Sequence, residues 1–71
     1  MEWFDREQVV RAFGKLGFMR DYEAKYVIVL RNSSFPFQRI VLPSQKTLHV
    51  ELLTLYTQDL GIPLSRLIDL L

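Results

Sequence analysis

Apolar residues in the first part of the chain recur at the spacing of one helix face. The stripe consists of Val9, Val10, Phe13 and Leu16. This spacing predicts an amphipathic helix over about residues 5–16. Asp5 precedes the stripe as an N-cap, with Gln8 three residues later as in a capping box. Gly17 suits the position after the helix, where a positive φ is cheap only without a Cβ.

Three strand-like runs follow this helix. They are Phe18–Tyr22, Lys25–Arg31 and Phe37–Leu42. The middle run is rich in β-branched and aromatic residues and has charged ends, as is typical of a strand. Asn32–Pro36 has turn chemistry, and Pro43 ends the third run because it cannot donate to a ladder. We therefore expect an antiparallel three-stranded meander.

The second half of the chain is predicted to be helical. Its apolar stripes are Leu48, Leu52, Leu53, Tyr56 and Leu60, then Leu64, Leu67, Ile68 and Leu71. Thr47 is the expected N-cap of the first of these helices and Gly61 its stop, while Pro63 suits the N1 position of the last. The order α-β-β-β-α-α predicts one α+β domain over residues 1–71, a two-layer sandwich with its helices on one side of the sheet.

The central strand does not alternate cleanly between apolar and polar residues. If Tyr26, Ile28 and Leu30 face the helices, Val27 and Val29 point outward. Either a partner covers them or the strand tolerates two exposed valines. The expected core is Val10, Phe13, Leu16, Phe18, Ile28, Leu30, Leu53, Tyr56, Leu67 and Ile68.

Composition narrows the classes of function. The 71 residues include no Cys and one His, and the net charge is +1. Disulfides, thiolate metal sites and His-rich metal sites are therefore excluded, and a strong non-specific polyanion binder is disfavoured. No apolar run is long enough for a membrane span. The start of the chain lacks a signal-peptide pattern, so a cytoplasmic location is expected.

Several segments, taken in order, resemble the HicA (YcfA-like) family of toxin–antitoxin mRNA interferases. They are Leu16-Gly17-Phe18, Ile40-Val41-Leu42-Pro43, Leu60-Gly61-Ile62 and the Leu-rich stretch 64–71. The resemblance covers nearly the whole chain. It implies a fold related to the double-stranded RNA-binding domain, cleavage of messenger RNA, and inhibition by a HicB-like antitoxin.

The chain departs from that family where the family's catalysis is placed. The family carries Gly-Ser-His at the start of its second strand, and an ungapped register puts Lys25, Tyr26 and Val27 there. A shift of one or two residues would put Tyr26 or Lys25 at the histidine position. The family's basic Lys-Lys-Gly-Thr is replaced by residues 49–52, His-Val-Glu-Leu.

Candidate chemistry is correspondingly sparse. RNA cleavage of this type needs a general base and a general acid, and His serves because it titrates near neutral pH. The remaining candidates are Lys25, Tyr26 and His49, but Lys25 is more typical of a solvated strand-end charge and a lone histidine such as His49 is usually a surface residue. Asp21 and Glu23 could share a strand face, but two carboxylates alone bind divalent metals weakly. No metal or other cofactor is expected.

Basic residues supply the candidate RNA contacts. They are Lys25, Arg31, Arg39 and Lys46, with Arg11 or Lys15 as additions. Lys and Arg contact phosphates in duplex RNA binders of this fold. Because acids are almost as numerous, a merely solvated surface is the alternative. Trp3 and Phe4 are interpreted as a hydrophobic staple onto Val9.

Three functions follow from these residues. The first is a HicA-like protein that binds structured or messenger RNA with reduced or absent nuclease activity. The second is a non-enzymatic module for self-association or partner binding through Val27 and Val29. The third is a metal-independent endoribonuclease with a base other than His. A HicB-like antitoxin and a homodimer are the expected protein partners, and no membrane is expected.

Overall fold

The computed structural model describes residues 2–34 and 38–71. The elements in chain order are β1 (Trp3–Asp5), α1 (Arg6–Lys15), β2 (Phe18–Glu23), β3 (Val27–Asn32), β4 (Arg39–Pro43), β5 (Thr47–His49), α2 (Val50–Leu60) and α3 (Leu64–Ile68). The predicted α+β class is confirmed, since the described part of the chain has three helices and the antiparallel sheet β2-β3-β4.

Helix α1 begins and ends where its sequence signals predict. The carboxylate of Asp5 accepts a hydrogen bond from the Gln8 amide at 3.1 Å, which satisfies one of the free N–H groups of the first turn. Leu16 ends the helix, and Gly17 follows with φ +100°. The chain can turn sharply into β2 because that conformation is accessible to glycine.

Two short strands form an additional ribbon that the sequence did not indicate. β1 pairs antiparallel with β5, with Trp3 opposite His49. Main-chain hydrogen bonds extend the ribbon at both ends, from Arg6 N to Lys46 O at 2.8 Å and from Val50 N to Glu2 O at 2.7 Å. The ribbon therefore ties the start of α1 to the start of α2. Phe4, one of the two residues of the predicted staple, is partly buried against the core that includes Val9, whereas Trp3 is 53% exposed and packs against His49.

The cap assignments of the last two helices were wrong by one or two residues. Thr47 lies in β5, and His49 is the N-cap of α2. Pro63 precedes α3 as its N-cap residue instead of occupying N1. Gly61 ends α2 in the left-handed conformation, as predicted.

The core lies between the helices and one face of the three-stranded sheet. Its buried members are Val9, Ala12, Phe13, Phe18, Ile28, Leu30, Ile40, Leu42, Leu48, Leu53 and Leu67. Of the other predicted core residues, Val10, Leu16 and Tyr56 are partly buried against it, and Ile68 is of intermediate burial. The expected inward orientation of Tyr26 was wrong, because that side chain is 72% exposed just before β3. Of the predicted third strand, Phe37 lies outside the described residues.

A β-bulge interrupts the pairing of β2 with β3. The register shifts between Arg20 and Tyr22, so Asp21 is the extra residue. As a result Asp21 pairs with Arg31 on the face away from the helices, while Glu23 pairs with Arg20 on the helix side. The expectation that Asp21 and Glu23 share a face was therefore wrong.

Candidate nucleic-acid interface

The turn between β2 and β3 and the loop after β4 meet at one end of the sheet. The Ser44 hydroxyl donates to Lys25 O at 2.8 Å, and Ser44 N donates to Tyr26 O at 3.0 Å. The Arg6 guanidinium donates to Ser44 O at 2.8 Å. These contacts hold Lys25, Tyr26 and Lys46 at the same end of the molecule. We call the surface formed by Lys25, Tyr26, Val27, Ser44 and Lys46 the turn-end surface.

The turn-end surface combines an exposed aromatic ring with unpaired cations. The Lys25 ammonium lies 5.4 Å from the centroid of the Tyr26 ring. Within the described residues, neither Lys25 nor Lys46 forms an ion pair. A flat exposed ring can stack on a base, and lysines can contact phosphates. The arrangement therefore suits an unpaired stretch of RNA.

Arg31 and Arg39 lie at the opposite end of the sheet. They face each other across β3 and β4, and Arg31 is bound to Asp21 at 3.0 Å. Val27 and Arg31 are separated along β3 by about 13 Å at 3.3 Å per residue. The four basic residues predicted to bind RNA therefore form two separate pairs instead of one site.

In the ungapped register of the resemblance to the HicA family, Val27 takes the position of the catalytic histidine. It is half-buried, begins β3 and lies opposite Pro43. Lys25 and Tyr26, the candidates from shifted registers, are both exposed to solvent. The structure therefore brings no imidazole to this position.

His49 lies in the ribbon and has a structural role there. Its Nδ1 accepts a hydrogen bond from the Glu51 amide at 3.1 Å, which caps α2. Its ring packs edge-on against Trp3 at 4.8 Å between centroids, and its Nε2 lies 3.9 Å from the Glu2 carboxylate. To act as a base through Nδ1, His49 would have to give up the cap.

The face of the sheet opposite the helices is open. We call it the open sheet face; it carries Met19, Asp21, Tyr22, Val27, Val29, Arg31, Arg39, Val41 and Pro43. Val27 and Val29 lie on this face as expected, each of intermediate burial. The sequence reasoning missed Tyr22 and Val41, which are 60% and 52% exposed. Because Ile40 and Leu42 point inward, the side-chain period of two would have predicted that Val41 points outward. The bulge at Asp21 shifts this alternation in β2, so the orientation of Tyr22 could not be predicted.

The described residues form no metal site, and the groove at the ends of α1 and α2 lies apart from the turn-end surface. Among residues 2–34 and 38–71, no three His, Cys, Asp or Glu side chains come together in a way that could hold a metal ion. A groove of about 300 Å³ lies between the ends of α1 and α2, and its lining includes Leu16, Phe18, Leu60 and Arg66. It contains none of the turn-end residues. No helix in the described part of the chain has the length and apolarity to cross a bilayer.

Comparison of the chain with protein-family models, curated proteins and solved structures gives no match. The likeness to the HicA family therefore rests on the sequence segments given above.

Proposed function

We propose that this chain is a HicA-like RNA-binding protein that does not cleave RNA. The observation that carries the proposal is the exposed ring of Tyr26 with the Lys25 ammonium over it, at the end of the sheet that also carries Lys46, neither lysine being in an ion pair. This group occupies the end of the sheet where the resemblance places the family's catalytic residues. A surface that has cations but no acid–base group can bind RNA without cleaving it.

The absence of cleavage follows from the side chains at this surface. Removing the 2′-OH proton at neutral pH requires a positioned general base. Val27 has no titratable group, and His49 is used as a helix cap. Burial lowers the pKa of a lysine toward neutral pH, whereas it raises the pKa of a tyrosine, so burial could make only the lysine a base. Lys25 is exposed, so this surface does not bury it.

The expected binding is weak and moderately salt-dependent. Stacking of one base on an aromatic ring contributes about 1–3 kcal/mol. Two phosphate contacts to a single strand give a slope of log K against log salt of about −1.4. An unpaired loop or bulge of a structured or messenger RNA is therefore favoured over a continuous duplex, since its bases are accessible for stacking.

The resemblance also implies a protein partner and a location. A HicB-like antitoxin would bind over the turn-end surface and compete with RNA there. The protein would act in the cytoplasm, where messenger RNA is available.

Fluorescence anisotropy with a labelled hairpin RNA at low salt tests the binding. Tyr26→Ala and the double variant Lys25→Gln/Lys46→Gln should each weaken binding, and the double variant should also flatten the salt dependence. Arg66→Gln removes one exposed cation at α3 and is the matched control, expected to leave binding unchanged. If the parent shows no affinity at low salt, or if the control variant weakens binding equally, the proposed interface is wrong.

Incubation of the same RNA with the purified protein tests the absence of cleavage. The parent should leave the RNA intact, and its expression should not arrest growth. Val27→His and Tyr26→His, made separately, test which register restores a base. Cleavage by the parent at the rate of an active toxin would contradict the proposal, and if His49→Ala left that rate intact, Lys25 or Tyr26 would become the leading base candidate.

A further inference from the structure

The register of the sheet arranges the open sheet face in rows across the strands. Tyr22, Val29 and Val41 are direct neighbours across β2, β3 and β4 and form an apolar row. A second apolar pair is Val27 with Pro43.

The row at the other end is polar. It consists of Met19, Arg31 and Arg39, with Asp21 bound to Arg31. The face is thus apolar in the middle and at the turn end, and charged at the opposite end. This distribution limits what can pack on it.

The edge of β4 is closed to strand addition. The Tyr56 hydroxyl donates to Val41 O, and Pro43 has no N–H to offer. In β4, Ile40 and Leu42 direct their main-chain N–H and C=O groups toward Leu30 and Ile28 of β3. Because this direction alternates along an antiparallel strand, the Val41 carbonyl points to the outer edge. On the other side, the bulge at Asp21 disturbs the edge of β2. Association of this sheet must therefore use its face.

We propose that the open sheet face is a homodimer interface, in which a second copy packs face to face with its β3 running in the same direction. A two-fold axis parallel to β3 places each row of one copy on the same row of the other. The apolar row of Tyr22, Val29 and Val41 then meets itself. The opposite orientation would set Arg31 and Arg39 against Val27 and Pro43, leaving cations buried on an apolar surface.

One contact between unlike charges supports the same orientation. The two-fold axis places β2 of one copy over β4 of the other. Asp21, on β2, then lies at the same end as the partner's Arg39, on β4. Within the described residues Arg39 forms no ion pair in the monomer. Two symmetric contacts of Arg39 with the partner's Asp21 would give each Arg39 a carboxylate, while Arg31 meets the partner's Arg31 and keeps its own Asp21 as counterion.

The interface is small, so the dimer is weak. β4 spans five residues, about 17 Å, and three strands at 4.8 Å spacing are roughly 15 Å wide including side chains. The footprint is therefore about 250 Å² per copy, or roughly 500 Å² for both copies, which is well below the ~1,200 Å² of stable specific interfaces and in the range of weak, transient ones. The dimer also places both turn-end surfaces at one end, so an RNA with two unpaired stretches could bind both copies; this consequence alone rests on the proposed function.

Sedimentation equilibrium of the full chain, at concentrations up to roughly 500 μM because small interfaces are weak, tests the association. The parent should show a monomer–dimer equilibrium. Val41→Lys and Tyr22→Lys replace exposed residues of the face, so both should fold and remain monomeric. Leu55→Lys is the matched control, because Leu55 is 58% exposed on α2 and away from the face; it should dimerise like the parent.

Cross-linking tests the orientation, and the absence of native cysteine makes single labels unambiguous. Facing positions on packed sheets are about 10 Å apart, so a short bis-maleimide spans them. A mixture of Met19→Cys and Arg39→Cys chains should cross-link, whereas Met19→Cys alone should not. Cross-linking of Met19→Cys with Lys25→Cys instead would show the opposite orientation and overturn the proposal.

A monomeric parent at the highest concentration would also overturn the proposal, as would a dimer unaffected by Val41→Lys and Tyr22→Lys, since that dimer would use another surface. Neither result depends on RNA. Loss of RNA binding with an intact dimer would contradict only the proposed function.

Discussion

The hydroxyl of Tyr56 on α2 donates a hydrogen bond to the main-chain carbonyl of Val41 on β4. The contact joins a helix of the core layer to the outer edge of the sheet. The Tyr56 ring also packs edge-on against Phe13 at 6.2 Å between centroids. One side chain therefore fills the core and blocks an edge that could otherwise recruit another strand.

Tyr56→Phe should reduce stability and increase aggregation. Removal of the hydroxyl leaves the Val41 carbonyl without this donor, which costs about 1 kcal/mol. Chemical denaturation monitored by circular dichroism measures the loss, and light scattering during prolonged incubation measures aggregation. Tyr22→Phe removes an exposed hydroxyl and is the control; an equal effect from it would contradict the role of the edge contact.

Tyr56 should also make the stability of the protein depend on pH in the alkaline range. Burial raises the pKa of the Tyr56 phenol above its ordinary value of 10.0. The folded state therefore favours the neutral phenol. Its contribution to stability is complete below the unfolded pKa of about 10 and is lost as pH rises through the raised folded pKa. In denaturation series from pH 8 upward, Tyr56→Phe should lack this part of the alkaline decline. Parallel curves for parent and variant would contradict the prediction.

Glu7 should contribute to stability in the opposite pH range. Hydrogen bonding from Arg20, with smaller contributions from the Arg20 and Arg6 charges, lowers the pKa of Glu7 below 4.5. The contribution is therefore present above the unfolded pKa and lost as pH falls through the folded one. Glu7→Gln should flatten the acid decline below about pH 5 by less than ~1 kcal/mol, because the pair is exposed. Glu51→Gln, in the first turn of α2, is the control.

His49→Ala should destabilise the protein without altering RNA binding. It removes the side-chain cap of α2, and loss of an N-cap typically costs about 1 kcal/mol. His49→Asn should restore most of the stability because Asn is a good N-cap residue. Thermal unfolding measures both variants, and anisotropy measures the RNA affinity. Loss of RNA binding in a well-folded His49→Asn chain would instead give His49 a functional role.

Two glycines near the end of α1 should respond oppositely to alanine. Gly14 lies within the helix, and a Cβ added there would meet no atom of another element within 4 Å. Gly14→Ala should therefore stabilise by about 0.5–1 kcal/mol. Gly17 has φ +100°, so Gly17→Ala should destabilise by roughly 1–2 kcal/mol. Urea denaturation of the two variants side by side checks the signs. Stabilisation by Gly17→Ala would show that the helix does not end at Leu16.

The sequence by itself determined the elements that carry local signals. Residues 5–16 carry a complete apolar stripe, the Asp5 cap and the Gly17 stop, so the bounds of α1 could be predicted. The strand run 25–31 was found because β-branched residues are frequent in strands, although the structure begins β3 at Val27. The outward orientation of Val27 and Val29 followed from the side-chain period of two.

The tertiary structure decided what depends on distant segments. β1 and β5 have three residues each, too few to show a period, and each exists because the other satisfies its main-chain groups. The bulge at Asp21, the exposure of Tyr26 and the separation of the basic residues into two pairs also follow from strand pairing. His49 became a helix cap because the β1–β5 ribbon fixes where α2 begins. Local patterns report which residues prefer a helix or strand, whereas pairing is a property of the whole fold, and pairing placed the side chains of both proposed interfaces.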